Sequence, residues 1–236
     1  MPRPLLFDLD GTLIDSLPDV AVAVDATLVG AGLEPLGLTK VRHMVGWGAG
    51  KMLEMAFRDA GQPLDEAAKA RQVSLYLDHY SARPAERTRV YDGVEDGLAR
   101  LAEAGHPMGI CSNKPSRMVG LVLTELGLDG FFCGLTGGDD VPHKKPDGRH
   151  LAETLHRMGD PKGLPIMIGD SQTDRGGAID FGAPFIAVTW GYDHVEEEPL
   201  TGDAVIDHFD QIDDAIAALS EPGSMSVPVS ISVSGD

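Results

Sequence analysis

Positive charge is scarce in this chain: 19 lysines and arginines stand against 37 aspartates and glutamates, a formal net charge of −18 over 236 residues. A protein that grips polyphosphate backbones or anionic membranes needs a basic face, so no nucleic-acid and no membrane partner is expected. Any phosphate the chain handles must be met by local cations. Cysteine is scarcer still: Cys111 and Cys133 are too few for a disulfide scaffold or a cysteine zinc site, and their apolar, strand-like surroundings predict two buried free thiols. The sequence has no uninterrupted run of about 18 apolar residues. Asp8 interrupts the first apolar segment, so no charged-then-apolar leader is read, and the expectation is a soluble, cytoplasmic protein. Nor does a Gly-x-Gly-x-x-Gly follow any strand-like segment; "GWGAGK" at Gly46 to Lys51 follows a helical pattern and lacks both the spacing and the Ser/Thr of a phosphate loop.

What is present is a 42% hydrophobic composition, enough for a sizeable core. Leu5 to Leu9 reads as a short buried strand. From Pro18 to about Val29 the pattern is helical, with Asp15 or Ser16 able to cap it and Pro18 suited to the first turn. Two further helical patterns follow, roughly Ala49 to Ala60 and Asp65 to Ser81, parted by Gly61-Gln62-Pro63. Then the rhythm changes. Helices near Val94 to Ala104, Ser116 to Leu126, Arg149 to Met158 and Thr173 to Phe181 lead in turn to the strands "PMGICS", "FFCGLTG", "LPIMIGD" and "PFIAVTW". Short apolar strands alternating with helices indicate an α/β fold, a doubly wound, Rossmann-like parallel sheet covered on both faces. The expected organisation is a core of residues 1–16 and 84–220, a small inserted α-helical domain of 17–83, and a tail of 221–236. The tail alternates Val227, Val229, Ile231 and Val233 with polar residues and reads as an edge strand or as disorder, Pro228 disfavouring a central strand.

In an open parallel sheet, ligands bind beyond the carboxyl ends of the strands. Asp8 and Asp10 follow the first strand, Ser112 and Asn113 follow "MGIC", Lys144 and Lys145 lie in the connection after "FFCGLTG", and Asp170 and Asp174 follow "IMIG". Each has a plainer reading. Asp10-Gly11 suits a hairpin turn between Leu6-Leu9 and Thr12-Ile14, Ser112-Asn113 suits a cap for the helix after Pro115, "GDSQTD" suits a capping turn, and Lys145 could be solvated. Their convergence on one sheet edge favours a site. Asp8, Asp10 and Asp170 brought together would repel and so need a cation, and carboxylate oxygens without nearby His or Cys select Mg²⁺ over zinc. One carboxylate could then attack phosphorus and the other shuttle the proton, while Lys145, Ser112 and strand-end amides hold the equatorial oxygens. His143, His150 and His156 share no helical face and are expected at the surface.

With these residues assembled, the chain resembles the haloacid dehalogenase superfamily of phosphohydrolases, in its phosphoglycolate phosphatase-like branch. The signature motifs are similar to "DLDGTLIDS", "CSNKP", "KKPDG" and "GDSQTD", in family order, over about Leu5 to Leu219. The resemblance implies Asp8 as nucleophile and Asp10 as acid/base, with the Asp10 main-chain carbonyl also binding metal. It further implies Ser112, Asn113 and Lys145 as phosphate binders, Asp170 as metal ligand, Asp174 as its support, and Mg²⁺ as cofactor. The substrate it implies is a small phosphorylated metabolite, 2-phosphoglycolate first, with other small phosphometabolites or nucleotides as alternatives. The helical insert resembles the family's α-helical cap, and "VRHMVGWGAGKML" resembles its cap loop, which points to Arg42, Trp47 and Gly48 for substrate recognition. Gly148 stands where the family commonly has proline and is expected to loosen the loop behind Lys145. Asp10 speaks against a hydrolytic dehalogenase, which lacks the second aspartate. Lys40 and Lys51 leave a phosphonate-cleaving relative open, and a sugar phosphomutase or a non-enzymatic phospho-acceptor module shares parts of the constellation. Oligomeric state is not readable from the sequence.

Overall fold

The computed structural model describes residues 2–192 and 200–219, together with the backbone of 229–230. The chain opens with β1 (Leu5–Phe7), turns through β2 (Ile14–Asp15), and runs into four helices: α1 (Leu17–Gly30), α2 (Leu38–Arg42), α3 (Ala49–Asp59) and α4 (Glu66–Ser81). After β3 (Arg89–Val90) come α5 (Val94–Glu103), β4 (Met108–Cys111), α6 (Ser116–Glu125), β5 (Gly134–Thr136), α7 (Arg149–Arg157), β6 (Ile166–Gly169), α8 (Gln172–Phe181), β7 (Phe185–Val188), β8 (Ala204–Ile206), α9 (Ile212–Ala218) and β9 (Val229–Ser230). The sheet order is β5-β4-β1-β6-β7-β8-β9, and every pairing in it is parallel. The strands are shorter than the apolar runs that announce them.

Leu5, Phe7, Ile166 and Ile168 pack on one face of the sheet with Leu98, Val119, Val122 and Phe209, while Leu6 and Met167 pack on the other with Leu151 and Ala178. Alternate residues of a strand point to opposite faces, and here both faces are covered by helices, so β1 and β6 carry unbroken apolar runs. Each of these fully buried Leu, Ile and Phe side chains contributes roughly 1.5–3 kcal/mol by leaving water. From β1 the chain fills β4 and β5 on one side, then returns to β6 on the other. The topological switch point, where such sheets open a crevice, therefore lies at the carboxyl end of β1.

The helices between β2 and β3 build a separate cluster around Val24, Leu28, Leu53, Phe57, Tyr76 and Tyr80. The short helix α2 within them has no periodic signal long enough to read in the sequence. The Asp10-Gly11 hairpin does not form: β1 pairs with β4 and β6, while Ile14 and Asp15 pair antiparallel with Val90 and Arg89 where the chain leaves for and returns from the helices. Cys111 is buried as expected and its thiol is pushed up to about 11 by burial. Cys133 is exposed, against expectation, because it precedes β5 rather than lying within it. Val229–Ser230 adds a short edge pairing to β8; the rest of the tail lies outside the described residues. Among the described residues no helix is long and apolar enough to cross a membrane.

Candidate active site

Asp8 follows β1 with its N–H donating to Ile168 O at 2.9 Å, so the inter-strand pairing with β6 itself aims the side chain. The buried Lys145 ammonium reaches it from the connection after β5, at 2.9 Å from Asp8 Oδ1, and also bonds Asp174 Oδ1 and Cys111 O. Asp174 is held from its other oxygen by Ser171, which N-caps α8 in a reciprocal capping box, so "GDSQTD" forms the helix cap and also brings Asp174 against Lys145. Asp170 accepts from Tyr192 N at 2.6 Å and, more weakly, from Thr12 Oγ1 at 3.5 Å. Its carboxylate lies directly against Gly11, where φ is 87° and any Cβ would overlap the Asp170 oxygens. Gly11 is thus required twice, by its left-handed backbone and by the approach of a carboxylate.

Asp8, Asp170 and Asp174 are buried and present oxygens within 4.8 Å of one another. Burial, only partly offset by Lys145 and reinforced by the charges of Asp174 and Asp10, pushes the Asp8 carboxyl up from 3.8 to about 6. Burial and the charges of Asp174 and Asp8 also push Asp170 well above the carboxylate range. Burial works against the Lys145 charge, but Asp174 and Asp8 outweigh it and hold the ammonium above the usual lysine range. One lysine cannot neutralise three clustered carboxylates. The donor set, all hard oxygens with a residual negative charge, fits a divalent cation such as Mg²⁺.

Asp10 is arranged differently. Its carboxylate turns away from the triad and accepts from Ser16 Oγ and from Lys114 Nζ, at 2.8 Å on Oδ1 and 3.1 Å on Oδ2. Ser16 consequently makes no side-chain cap for α1; Asp15 Oδ1 takes the Leu17 N–H at 3.3 Å instead. Lys114 is the residue that motif reading passed over, although it stands two places after Ser112 within "CSNKP". Its ammonium also bonds the Tyr80 hydroxyl of α4 at 2.7 Å.

Ser112 is buried beside these groups at the end of β4, and Asn113 donates to Gly46 O at 2.9 Å and Lys145 O at 3.0 Å. Neither caps α6, whose first residue takes Asp139 Oδ1 as acceptor for its N–H. A narrow, solvent-open cleft joins Asp8, Asp10, Ser112, Asn113 and Lys114 to Val20, Met44, Gly46, Gly48, Met52 and Tyr76 of the helical segment. Gly48 packs so closely that a Cβ would lie 2.9 Å from both Asn113 O and Lys144 Nζ. Trp47 is half-exposed and does not line this cleft; Arg42 donates to Gly191 O at 2.8 Å and lies over the Tyr192 ring.

Two expectations about the lysine loop are corrected. His150 is fully buried rather than at the surface, accepting Lys145 N–H on Nδ1 at 3.1 Å, and burial together with Lys145 pushes its imidazole down to about 4. His143 and His156 are exposed as expected. Gly148 does not loosen the loop: its N–H donates to Asp180 Oδ2 at 2.8 Å, and it packs on the end of α8 so that a Cβ would meet Phe181 N at 2.6 Å.

The family model of the haloacid dehalogenase-like hydrolases matches residues 5–188. A curated phosphoglycolate phosphatase of Caulobacter vibrioides is 38% identical over 205 residues, 87% of this chain and 86% of that protein. Another, from Mesorhizobium japonicum, is 38% identical over 213 residues, 90% of this chain and 94% of that protein. Among solved structures, a protein from Haemophilus somnus described as a predicted phosphoglycolate phosphatase superposes with a TM-score of 0.78 at 26% identity, covering 91% of this chain and 98% of its own. The matched span contains each of the strand-end groups described above, and the chain belongs to the haloacid dehalogenase-like hydrolases.

Proposed function

We propose that the chain is a Mg²⁺-dependent phosphomonoesterase that hydrolyses 2-phosphoglycolate through an aspartyl-phosphate on Asp8. The observation that carries this reading is the Asp8–Lys145–Asp174 arrangement at the switch point of the sheet, with Ser112 and Asp170 beside it. The names of the relatives support the substrate.

Asp8, Asp170 and Asp174 would hold the metal, and Mg²⁺ when bound supplies charge neutralisation that lets a dianionic phosphate approach ionised carboxylates. Lys145 and Ser112 orient the phosphoryl oxygens. An Asp8 oxygen attacks phosphorus, the bond to the ester oxygen breaks with its electron pair, and Asp10 gives that oxygen its proton. Asp10, now ionised, takes a proton from water as the water attacks phosphorus; the Asp8–phosphorus bond breaks and phosphate leaves. The helices of 17–83 serve as a cap over the cleft, and Gly48 and Arg42, with the exposed Trp47, belong to its substrate-reading loop. The cleft's helical wall is largely Val20, Met44 and Met52, and its narrowness favours a small leaving group.

The test is a panel of small phosphomonoesters assayed with Mg²⁺ and with EDTA. Expected is preference for 2-phosphoglycolate, with turnover lost in chelator and restored by Mg²⁺. Full activity in EDTA overturns the metal assignment, and preference for another ester overturns the substrate.

A further inference from the structure

We propose that Lys114 is the positioning residue of Asp10, holding its carboxylate where one oxygen faces the leaving group with a free lone pair. The inference rests on the reading of Asp10 as the acid/base. Lys114 is buried, its side chain only 4% exposed, and its ammonium is fully committed: Asp10 Oδ1 at 2.8 Å, Asp10 Oδ2 at 3.1 Å and Tyr80 Oη at 2.7 Å. The Tyr80 ring lies 4.6 Å from the same nitrogen. An ammonium has three protons, so this geometry leaves it no other orientation.

The two Asp10 oxygens are not equivalent. Oδ1 accepts from both Ser16 and Lys114, whereas Oδ2 has, among the described residues, only the longer Lys114 contact. Oδ2 is therefore the less encumbered of the two. The anchor is firm at its backbone end as well: Lys114 N–H turns toward Ser112 Oγ at 3.4 Å, its carbonyl accepts Gly138 N–H at 2.9 Å, and Pro115 follows. Asp8, two residues from Asp10, repels it electrostatically. Without the cation, a buried Asp10 carboxylate would turn toward solvent or toward other donors. Tyr80 ties the lysine to α4, so the helical segment contributes to the placement of a proton donor that belongs to the sheet edge.

The step concerned is cleavage of the phosphorus–oxygen ester bond, in which Asp10 Oδ2–H transfers its proton to the departing oxygen as that oxygen takes the bond's electron pair. An aliphatic alkoxide needs this proton. A p-nitrophenolate, whose charge is delocalised, needs it far less, so misplacing the acid penalises the two esters unequally. Lys114→Met is therefore expected to lower kcat/KM on the order of 100-fold for 2-phosphoglycolate and less than about 5-fold for p-nitrophenyl phosphate. Because partial misfolding scales both substrates alike, their ratio reads positioning alone. Equal losses on the two esters would overturn the proposal and leave Lys114 as packing.

Tyr80→Phe keeps the ring and removes one of the three acceptors, and it carries the test if Lys114→Met does not fold: a smaller change of the ratio in the same direction is expected, and a wild-type ratio would overturn the proposal. Asp10→Asn separates the levels of the argument. A selective loss there with an unselective one in Lys114→Met overturns positioning only, whereas equal losses in Asp10→Asn overturn the acid role itself. The double variant Lys114→Met/Asp10→Asn is expected to be no less active than Asp10→Asn alone; additive losses would contradict action through Asp10.

Discussion

Lys145→Met removes the only cation that, among the described residues, touches Asp8 and Asp174, while keeping the buried aliphatic volume. Both carboxylates are fully or nearly fully buried, so the substitution leaves two desolvated acids without their shared partner. Breaking a buried pair by deleting one member costs about 3–5 kcal/mol. In a chain of 236 residues, at about 2–4 °C per kcal/mol, that is a fall in Tm of roughly 6–20 °C. The carboxylates limit the damage by taking up protons. Asp8 already stands at about 6 with the pull of Lys145 included, and losing that pull raises it further. Without metal, Asp8 then holds its proton more tightly, and Mg²⁺ has to displace that proton before the carboxylate can attack. Adding the loss of one charged donor to the transferring phosphoryl group, worth about 10²–10³ in kcat, turnover should fall by at least that factor. The assay is calorimetric Tm without metal together with steady-state kinetics in Mg²⁺. A variant with wild-type Tm and more than a tenth of wild-type kcat would refute the reasoning, because it would mean that the Asp8–Lys145–Asp174 contacts carry neither stability nor transition-state charge.

Two other outcomes follow from the same geometry. Folding raises Asp8 to about 6 and Asp170 in the same direction, so the metal-free folded chain binds protons more tightly than the unfolded one; the Asp8 contribution to stability is lost as pH rises from about 4 through about 6. Mg²⁺ needs the ionised carboxylates and offsets that loss, so saturating Mg²⁺ should raise Tm more at about pH 7.5 than at about pH 5, and equal shifts would argue against these acids as ligands. Gly48→Val forces a side chain against Asn113 O and Lys144 Nζ at a backbone φ of 81°, and should cut kcat/KM for 2-phosphoglycolate far more than for p-nitrophenyl phosphate. Parallel loss on both esters, together with lower Tm, would make the turn structural only.

The parallel sheet was legible because β1, β4, β6 and β7 are buried on both faces and so write continuous apolar runs, with polar residues beginning where each strand leaves the sheet. That same transition marks Asp8, Asp10, Ser112 and Asp170. Lys114 escaped because what distinguishes it is a contact across 104 positions, to Asp10, which no local pattern encodes. His150 escaped for a related reason: its helix face is decided by packing on the lysine loop, and a histidine's spacing to other histidines carries no information about that. Ser16 looked like a helix cap because its local alternatives were visible and its partner in the site was not. The exposure of Cys133 turned on a strand boundary, where a shift of a single residue exchanges core for solvent.

In the proposed mechanism phosphorus becomes bonded to Asp8. Under that mechanism Asp10→Asn should slow the release of the phosphoryl group from Asp8 and leave attack possible for an ester whose leaving group needs no proton. In rapid-quench experiments with p-nitrophenyl phosphate and Mg²⁺, this variant should show a burst of p-nitrophenolate stoichiometric with enzyme. Mass spectrometry of the quenched protein should find a hydroxylamine-labile phosphoryl group on the peptide carrying Asp8, absent from Asp8→Asn/Asp10→Asn. No burst and no adduct, or an adduct that persists when Asp8 is replaced, would contradict the account.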